Sequence, residues 1–154
     1  MAFYQFHAEQ LINIPKESLW DFISAPANLK LITPDYMGFD ITSKNLPKVM
    51  YPGMIISYKV SPVLGIKMNW LTEITHVEPG DFFVDEQRKG PYSLWHHQHR
   101  LEKVPGGTLM KDIVTYSPPF GFLGSLANGL IIKKKLNEIF SYRELAVSKY
   151  FELS

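Results

Sequence analysis

The sequence predicts an α+β domain: a curved antiparallel sheet of about seven strands wraps around one long C-terminal helix, with two short helices after the first strand. Three observations predict it. Residues 38–117 read as strands almost throughout, cut by turn signals at "EPGD" (78–81) and "VPGG" (104–107). From about 122 to 152 the chain has no proline, and its apolar residues recur at spacings of three, four or seven, the pattern of an amphipathic helix. Proline-bounded segments at 15–26 and 27–34 separate the first strand from the rest. A sheet of this order can curl around the final helix and leave a cavity between the two.

Each element has its own signal. In residues 3–14, Tyr4, Phe6, Ala8, Ile12 and Ile14 share parity, as in a strand. Pro15 then opens a short helix, because proline is tolerated where the first N–H groups lack partners, and Glu17 suits the helix dipole. Leu19, Trp20, Phe22 and Ile23 give that helix an apolar side, and Pro26 ends it. "ANLKLITP" makes a second short helix, stopped by Pro34. Residues 38–45 form a weak strand, and 53–62 and 65–77 form stronger ones. In the latter, Ile66, Met68, Trp70, Thr72, Ile74 and His76 share a face. Strands follow at 82–89, 92–103 and 108–117, and Pro118–Pro119 end the sheet. Leu126, Leu130, Leu136, Ile139, Phe140, Val147 and Phe151 then mark the long helix. Without a linker or an internal repeat, residues 1–154 read as a single ligand-binding domain.

The bulk numbers narrow the function. A net charge of +1 and no basic stripe among aromatics speak against nucleic acid. Lys133–Lys134–Lys135 is a solvated helix face. The absence of cysteine excludes disulfides, thiolate catalysis and cysteine-based metal sites. The N-terminus shows no secretory pattern, and no run of about 18 apolar residues occurs, so a cytoplasmic protein without stable membrane insertion is expected. Aromatic residues make up 14% of the chain, enough to line a cavity as well as fill a core.

The turns register the hairpins. With "VPGG" as a four-residue loop, Leu101 meets Met110, His99 meets Asp112, His97 meets Val114 and Trp95 meets Tyr116. His96, Gln98 and Arg100 then face solvent. Across "EPGD", Val77 meets Phe82, and His76, Ile74 and Thr72 meet Phe83, Asp85 and Gln87. The inward wall combines rings and apolar groups (Met68, Trp70, Ile74, Phe83, Trp95, Met110, Val114, Tyr116) with polar ones (Thr72, Asp85, Gln87, His97, His99, Asp112). The predicted ligand-binding set is Met68, Trp70, Thr72, Asp85, Gln87, Trp95, His97, His99, Asp112 and Tyr116.

The two inward histidines admit three readings. His97-x-His99 could hold a metal with Asp112, Asp85 or His76 as third ligand, but the jelly-roll proteins that use this pattern do not end in a long helix, and no metal or other cofactor is expected. His97 or His99 could be a general base oriented by Asp112, yet Ser93 and Thr72 lack the setting of a nucleophile. The third reading, a satisfied polar patch that orients a ligand in an apolar cavity, is preferred. The glycines of "FGFLGSLANG" match neither a phosphate loop nor a dinucleotide fingerprint. They loosen the entry to the long helix or, alternatively, form a mobile gate over the cavity.

"INIPKESLWDFISAPANLKLITP" resembles the opening of the START-like helix-grip superfamily, SRPBCC, which includes the birch-pollen allergen, polyketide cyclases and lipid-transfer START domains. "FVDEQRKGPYSLWHHQHRLEKVPGGTLMKDIVTYSPPFGFLG" and "LNEIFSYR" are similar to bacterial ligand-binding SRPBCC proteins and to the N-terminal domain of an epimerase-like protein labelled a cell-division inhibitor. Asp85, Gln87, Gly90, Pro91, Trp95, His97, His99, Gly107, Asp112, Tyr116, Pro119, Gly121, Phe140, Tyr142 and Arg143 carry that similarity. The resemblance implies a helix-grip fold with a deep cavity for a small hydrophobic or amphipathic ligand (lipid, quinone or polyketide-like). It carries no general catalytic motif onto this chain. The rivals are a cyclase, aromatase or dehydratase using His97, His99 and Asp112, and a partner-binding module with an incidental cavity.

Overall fold

In a computed structural model that describes residues 2–61, 65–120 and 131–153, the chain forms one seven-stranded antiparallel sheet. The strands are β1 (Tyr4–Ile12), β2 (Asp40–Ile41), β3 (Met54–Val60), β4 (Met68–Glu78), β5 (Phe82–Lys89), β6 (Leu94–Val104) and β7 (Gly107–Ser117). Their order is β1-β7-β6-β5-β4-β3-β2, so the first strand closes against the last. α1 (Lys16–Ile23) follows β1, and α2 (Lys133–Leu153) packs on the concave face. This is the predicted helix grip.

The second predicted helix is a 3₁₀ segment, Pro26–Ile32, followed by another at Asp35–Met37. Prolines at 26 and 34 leave too few residues for a stable α-helical segment. The weak strand shrinks to Asp40–Ile41 because the chain then leaves the sheet, with Ser43 Oγ accepting the Ser57 N–H at 2.7 Å. α2 is described from Lys133 onward, so the proposed gate, Leu126 and Leu130 lie outside the described residues.

The β6–β7 register is the predicted one, residue for residue. Its turn packs on the end of β1 so closely that a Cβ on Gly107 would lie 2.1 Å from the Ile12 carbonyl oxygen. The β4–β5 register holds at Ile74↔Asp85 and Thr72↔Gln87 but differs toward the turn, where Val77 meets Phe83 and His76 meets Val84. A bulge between Ile74 and His76 supplies the extra residue and turns His76 out to solvent. Met68 is a second correction. It pairs with Val60 where β4 begins, and 37% of it is exposed, so it lies outside the cavity wall. Ile66, two residues earlier, is also exposed.

Among the described residues three apolar clusters flank the concave face, one of them Met37, Val60 and Trp70 with the rings packed on them. Another joins α1 (Leu19, Trp20, Phe22) to Ile56, Ile74, Phe83 and Val147. The third joins Val114 and Tyr116 of β7 to Leu136 and Phe140 of α2. The cavity is lined from all three.

Candidate functional site

Strand alternation puts one residue in two on the concave face. On β4 these are Trp70, Thr72 and Ile74; on β6 they are Trp95, His97 and His99; all six line a cavity of about 130 Å³. β3 adds Ile56, Tyr58 and Val60, β5 adds Phe83 and Asp85, and α2 closes the space with Leu136, Ile139, Phe140 and Arg143. One wall is aromatic: Tyr58 stacks on Trp70 with ring centres 5.9 Å apart, and Trp95 meets Trp70 edge-on at 5.3 Å. Tyr92 completes this wall, 4.9 Å from Trp95. Burial pushes the Tyr58 and Tyr92 phenols well up, so both stay protonated. The Tyr58 hydroxyl is 3.0 Å from Thr72 Oγ1.

The opposite wall is a closed polar cluster. His97 Nε2–H donates to Asp112 Oδ1 at 2.8 Å, and His99 Nε2–H donates to Asp85 Oδ2 at 2.6 Å. The remaining ring nitrogens point the same two ways: His99 Nδ1 lies 3.2 Å from Asp112 Oδ1, and His97 Nδ1 lies 3.5 Å from Asp85 Oδ2. Arg143 Nη1–H donates to Asp112 Oδ1 at 3.0 Å. The register explains the geometry, since Asp85 stands opposite His97 on β5 and Asp112 opposite His99 on β7.

Protonation follows from these partners. Burial works against an ionised Asp112, but the Arg143 charge and the two imidazoles outweigh it and hold the carboxyl well below its ordinary range. Asp85 is likewise held down, chiefly by the His99 hydrogen bond acting against burial. Burial, reinforced by the charge on His99, lowers His97 to about 4. His99 goes the other way, because its bonds to Asp112 and Asp85 overcome burial and raise it. With His97 neutral and His99 protonated, the form these shifts favour, the cluster holds two carboxylates, one imidazolium and one guanidinium, and its charges cancel. Buried charges persist only when matched in this way.

Of the ten residues predicted from sequence, Trp70, Thr72, Asp85, Trp95, His97 and His99 line the cavity. Asp112 sits behind the histidines as their acceptor. Tyr116 is buried in the β7–α2 cluster rather than in the wall. Gln87 does not reach the cavity either. Its amide serves the backbone of Tyr92, with Nε2–H donating to the carbonyl at 2.6 Å and Oε1 accepting the N–H at 3.1 Å. Sequence reasoning missed Tyr58, Tyr92, Phe140 and Arg143 as wall residues. Registering β3 on β4 would have found Tyr58, which stands opposite Trp70. Among the described residues, Trp70 Nε1 and Arg143 Nε are buried without a hydrogen-bond partner. Asp85, His97 and His99 each offer a metal-ligating atom, all within 4.8 Å of one another.

No helix among the described residues is long and apolar enough to cross a membrane. Solved structures share the architecture. A protein from Arthrobacter aurescens superposes with a TM-score of 0.70 at 15% identity, covering 94% of this chain and 86% of that one. Ms6760 from Mycobacterium smegmatis gives 0.67 at 15% identity, over 97% and 91%. Ara h 8.0201 gives 0.58 at 17% identity, over 96% and 99%. At such identities the likeness concerns the fold alone. No curated protein matches the sequence. Residues 12–138 match the model of the family described as polyketide cyclase / dehydrase and lipid transport, and the chain belongs to that family.

Proposed function

We propose that this chain binds a small hydrophobic or amphipathic ligand between the sheet and α2, with the aromatic wall supplying contact area and the polar cluster supplying orientation. One observation carries the reading: a ring-lined cavity of about 130 Å³ faces a buried polar cluster whose members are paired with one another. An apolar void of about 150 Å³ accommodates benzene. The cavity as it stands therefore suits a compact single-ring molecule, such as a simple quinone, better than an extended lipid chain or a fused polyketide ring system.

Titration with 1,4-benzoquinone is expected to quench the tryptophan fluorescence saturably, because Trp70 and Trp95 both line the space. Trp95→Ala is expected to weaken that binding about tenfold, as loss of a buried aromatic anchor does. Absence of saturable quenching by this and other one- and two-ring probes, together with no small molecule co-purifying from the native host in native mass spectrometry, would overturn the proposal.

A second reading, cyclase- or dehydratase-type catalysis, rests on His97 being oriented by its hydrogen bond to Asp112 while burial and the charge on His99 keep it neutral. A group that titrates near 4 is a weak base at pH 7, which favours binding over turnover. His99→Ala separates the two readings: a catalytic role shows as lost turnover with affinity preserved, a binding role as lost affinity alone.

A further inference from the structure

The polar cluster has a polarity that ligand binding does not require. Each imidazole turns one nitrogen to Asp85 and the other to Asp112. His97 Nδ1 and His99 Nε2 lie 3.5 and 2.6 Å from the same oxygen, Asp85 Oδ2. His97 Nε2 and His99 Nδ1 lie 2.8 and 3.2 Å from one oxygen of Asp112. Asp112 is itself anchored by Arg143. Two imidazole nitrogens and a carboxylate oxygen thus converge on the cavity side, while a second carboxylate receives both rings from behind. Metal-ligating histidines are oriented in just this manner, with the far ring N–H donated to a carboxylate.

We infer that Asp85, His97 and His99 form a binding site for one divalent first-row transition ion, zinc being the type ion for such an N₂O donor set, with Asp112 as the outer acceptor that orients both rings. The strands make the arrangement rigid. His97 and His99 are two apart on one face of β6, with Asp85 and Asp112 on the strands to either side. Metal bonds of about 2.0–2.1 Å at tetrahedral angles place ligand atoms about 3.3 Å apart. The His97–Asp85 spacing of 3.5 Å already fits, and the His99–Asp85 pair opens from 2.6 Å as the ion replaces the shared proton. That proton leaves His99 to solvent, one per ion bound. With the ion in place the cluster carries one net positive charge, so its open position, on the cavity side, favours an anionic oxygen: hydroxide, a carboxylate or a phenolate. The ion would share this wall of the cavity with the organic ligand of the proposed function, and its test uses the ion alone.

The wild-type protein, stripped with chelator, is titrated with Co²⁺ and then with Zn²⁺. One equivalent of Co²⁺ is expected to bind, with visible d–d absorption that Zn²⁺ displaces. Asp85→Asn and His99→Gln are expected to weaken binding at least 100-fold, and Asp112→Asn about 10- to 100-fold. His7→Ala, His76→Ala and His96→Ala are expected to leave it unchanged. So that misfolding of a buried variant does not decide the outcome, a second measurement uses wild-type protein only. On Zn²⁺ addition, ¹⁵N spectra of the histidine rings are expected to show metal at Nδ1 of His97 and Nε2 of His99. Binding that does not saturate at one equivalent, that follows His7, His76 or His96, or that uses the opposite nitrogens overturns the inference.

Discussion

Asp112→Ala is expected to remove about 3–5 kcal/mol of folding stability, the cost of leaving a buried cation unpaired. Asp112 is 3% exposed and receives His97 and Arg143 while facing His99. Without it, Asp85 alone must balance the His99 imidazolium and the Arg143 guanidinium, and Arg143 is itself largely buried. Urea denaturation followed by circular dichroism measures the effect directly; thermal melts should fall by roughly 10 °C for a chain of this size. Asp112→Asn keeps the shape and loses the charge, so it should fall between wild type and alanine. Glu102→Ala breaks only the exposed pair with Lys111 and should change stability by less than about 0.5 kcal/mol. A loss below about 1 kcal/mol for Asp112→Ala would show that the cluster is not the balanced unit described above.

The metal-free protein is expected to be most stable slightly below neutral pH and to weaken on both sides. His97 titrates at about 4 in the folded state against 6.5 in the unfolded chain. Between those values the unfolded state binds more protons, so stability falls as the pH drops through that window, by about 3 kcal/mol in all at about 1.4 kcal/mol per unit. Asp85 and Asp112, both lowered, add a further loss as the pH falls below about 4. His99 has the opposite sign. Its folded pKa is raised, so its contribution is complete below 6.5 and is lost as the pH rises through the folded value. Urea midpoints measured in chelator from pH 4 to pH 9 test this. His97→Gln should flatten the acid limb between 4 and 6.5. An unchanged acid limb in that variant would show that His97 is not the group responsible.

Much of this site was legible in the sequence because hairpin registers can be counted from their turns. "VPGG" fixed His99 opposite Asp112 and His97 opposite Val114, and the structure has both. What alternation cannot display is an unpaired residue inside a strand. The bulge in β4 next to His76 moved that histidine from the cavity to solvent, although its parity matched Ile74. The helix contribution was hidden for a different reason. Apolar spacing marks which face of α2 is buried, but not which residue meets which strand, and so Arg143 joins the Asp112 cluster without a local signal. Hairpin counting pairs His99 with Asp112 across β6 and β7. The β5 register places Asp85 within reach as well, and that second carboxylate converts a dyad into a balanced cluster.

The Gln87 amide, which holds Tyr92 by both its backbone groups, makes positions 87 and 90 a single heritable unit. A Cβ on residue 90 would stand 2.4 Å from Gln87 Oε1, so any side chain there evicts the amide from its post. Tyr92 would then lose the mounting that presents it to Trp95 and Trp70. Among chains descended from this one, glycine at 90 and glutamine at 87 should be kept or discarded together, and a lineage that gives up both is free to reshape the rim of its cavity.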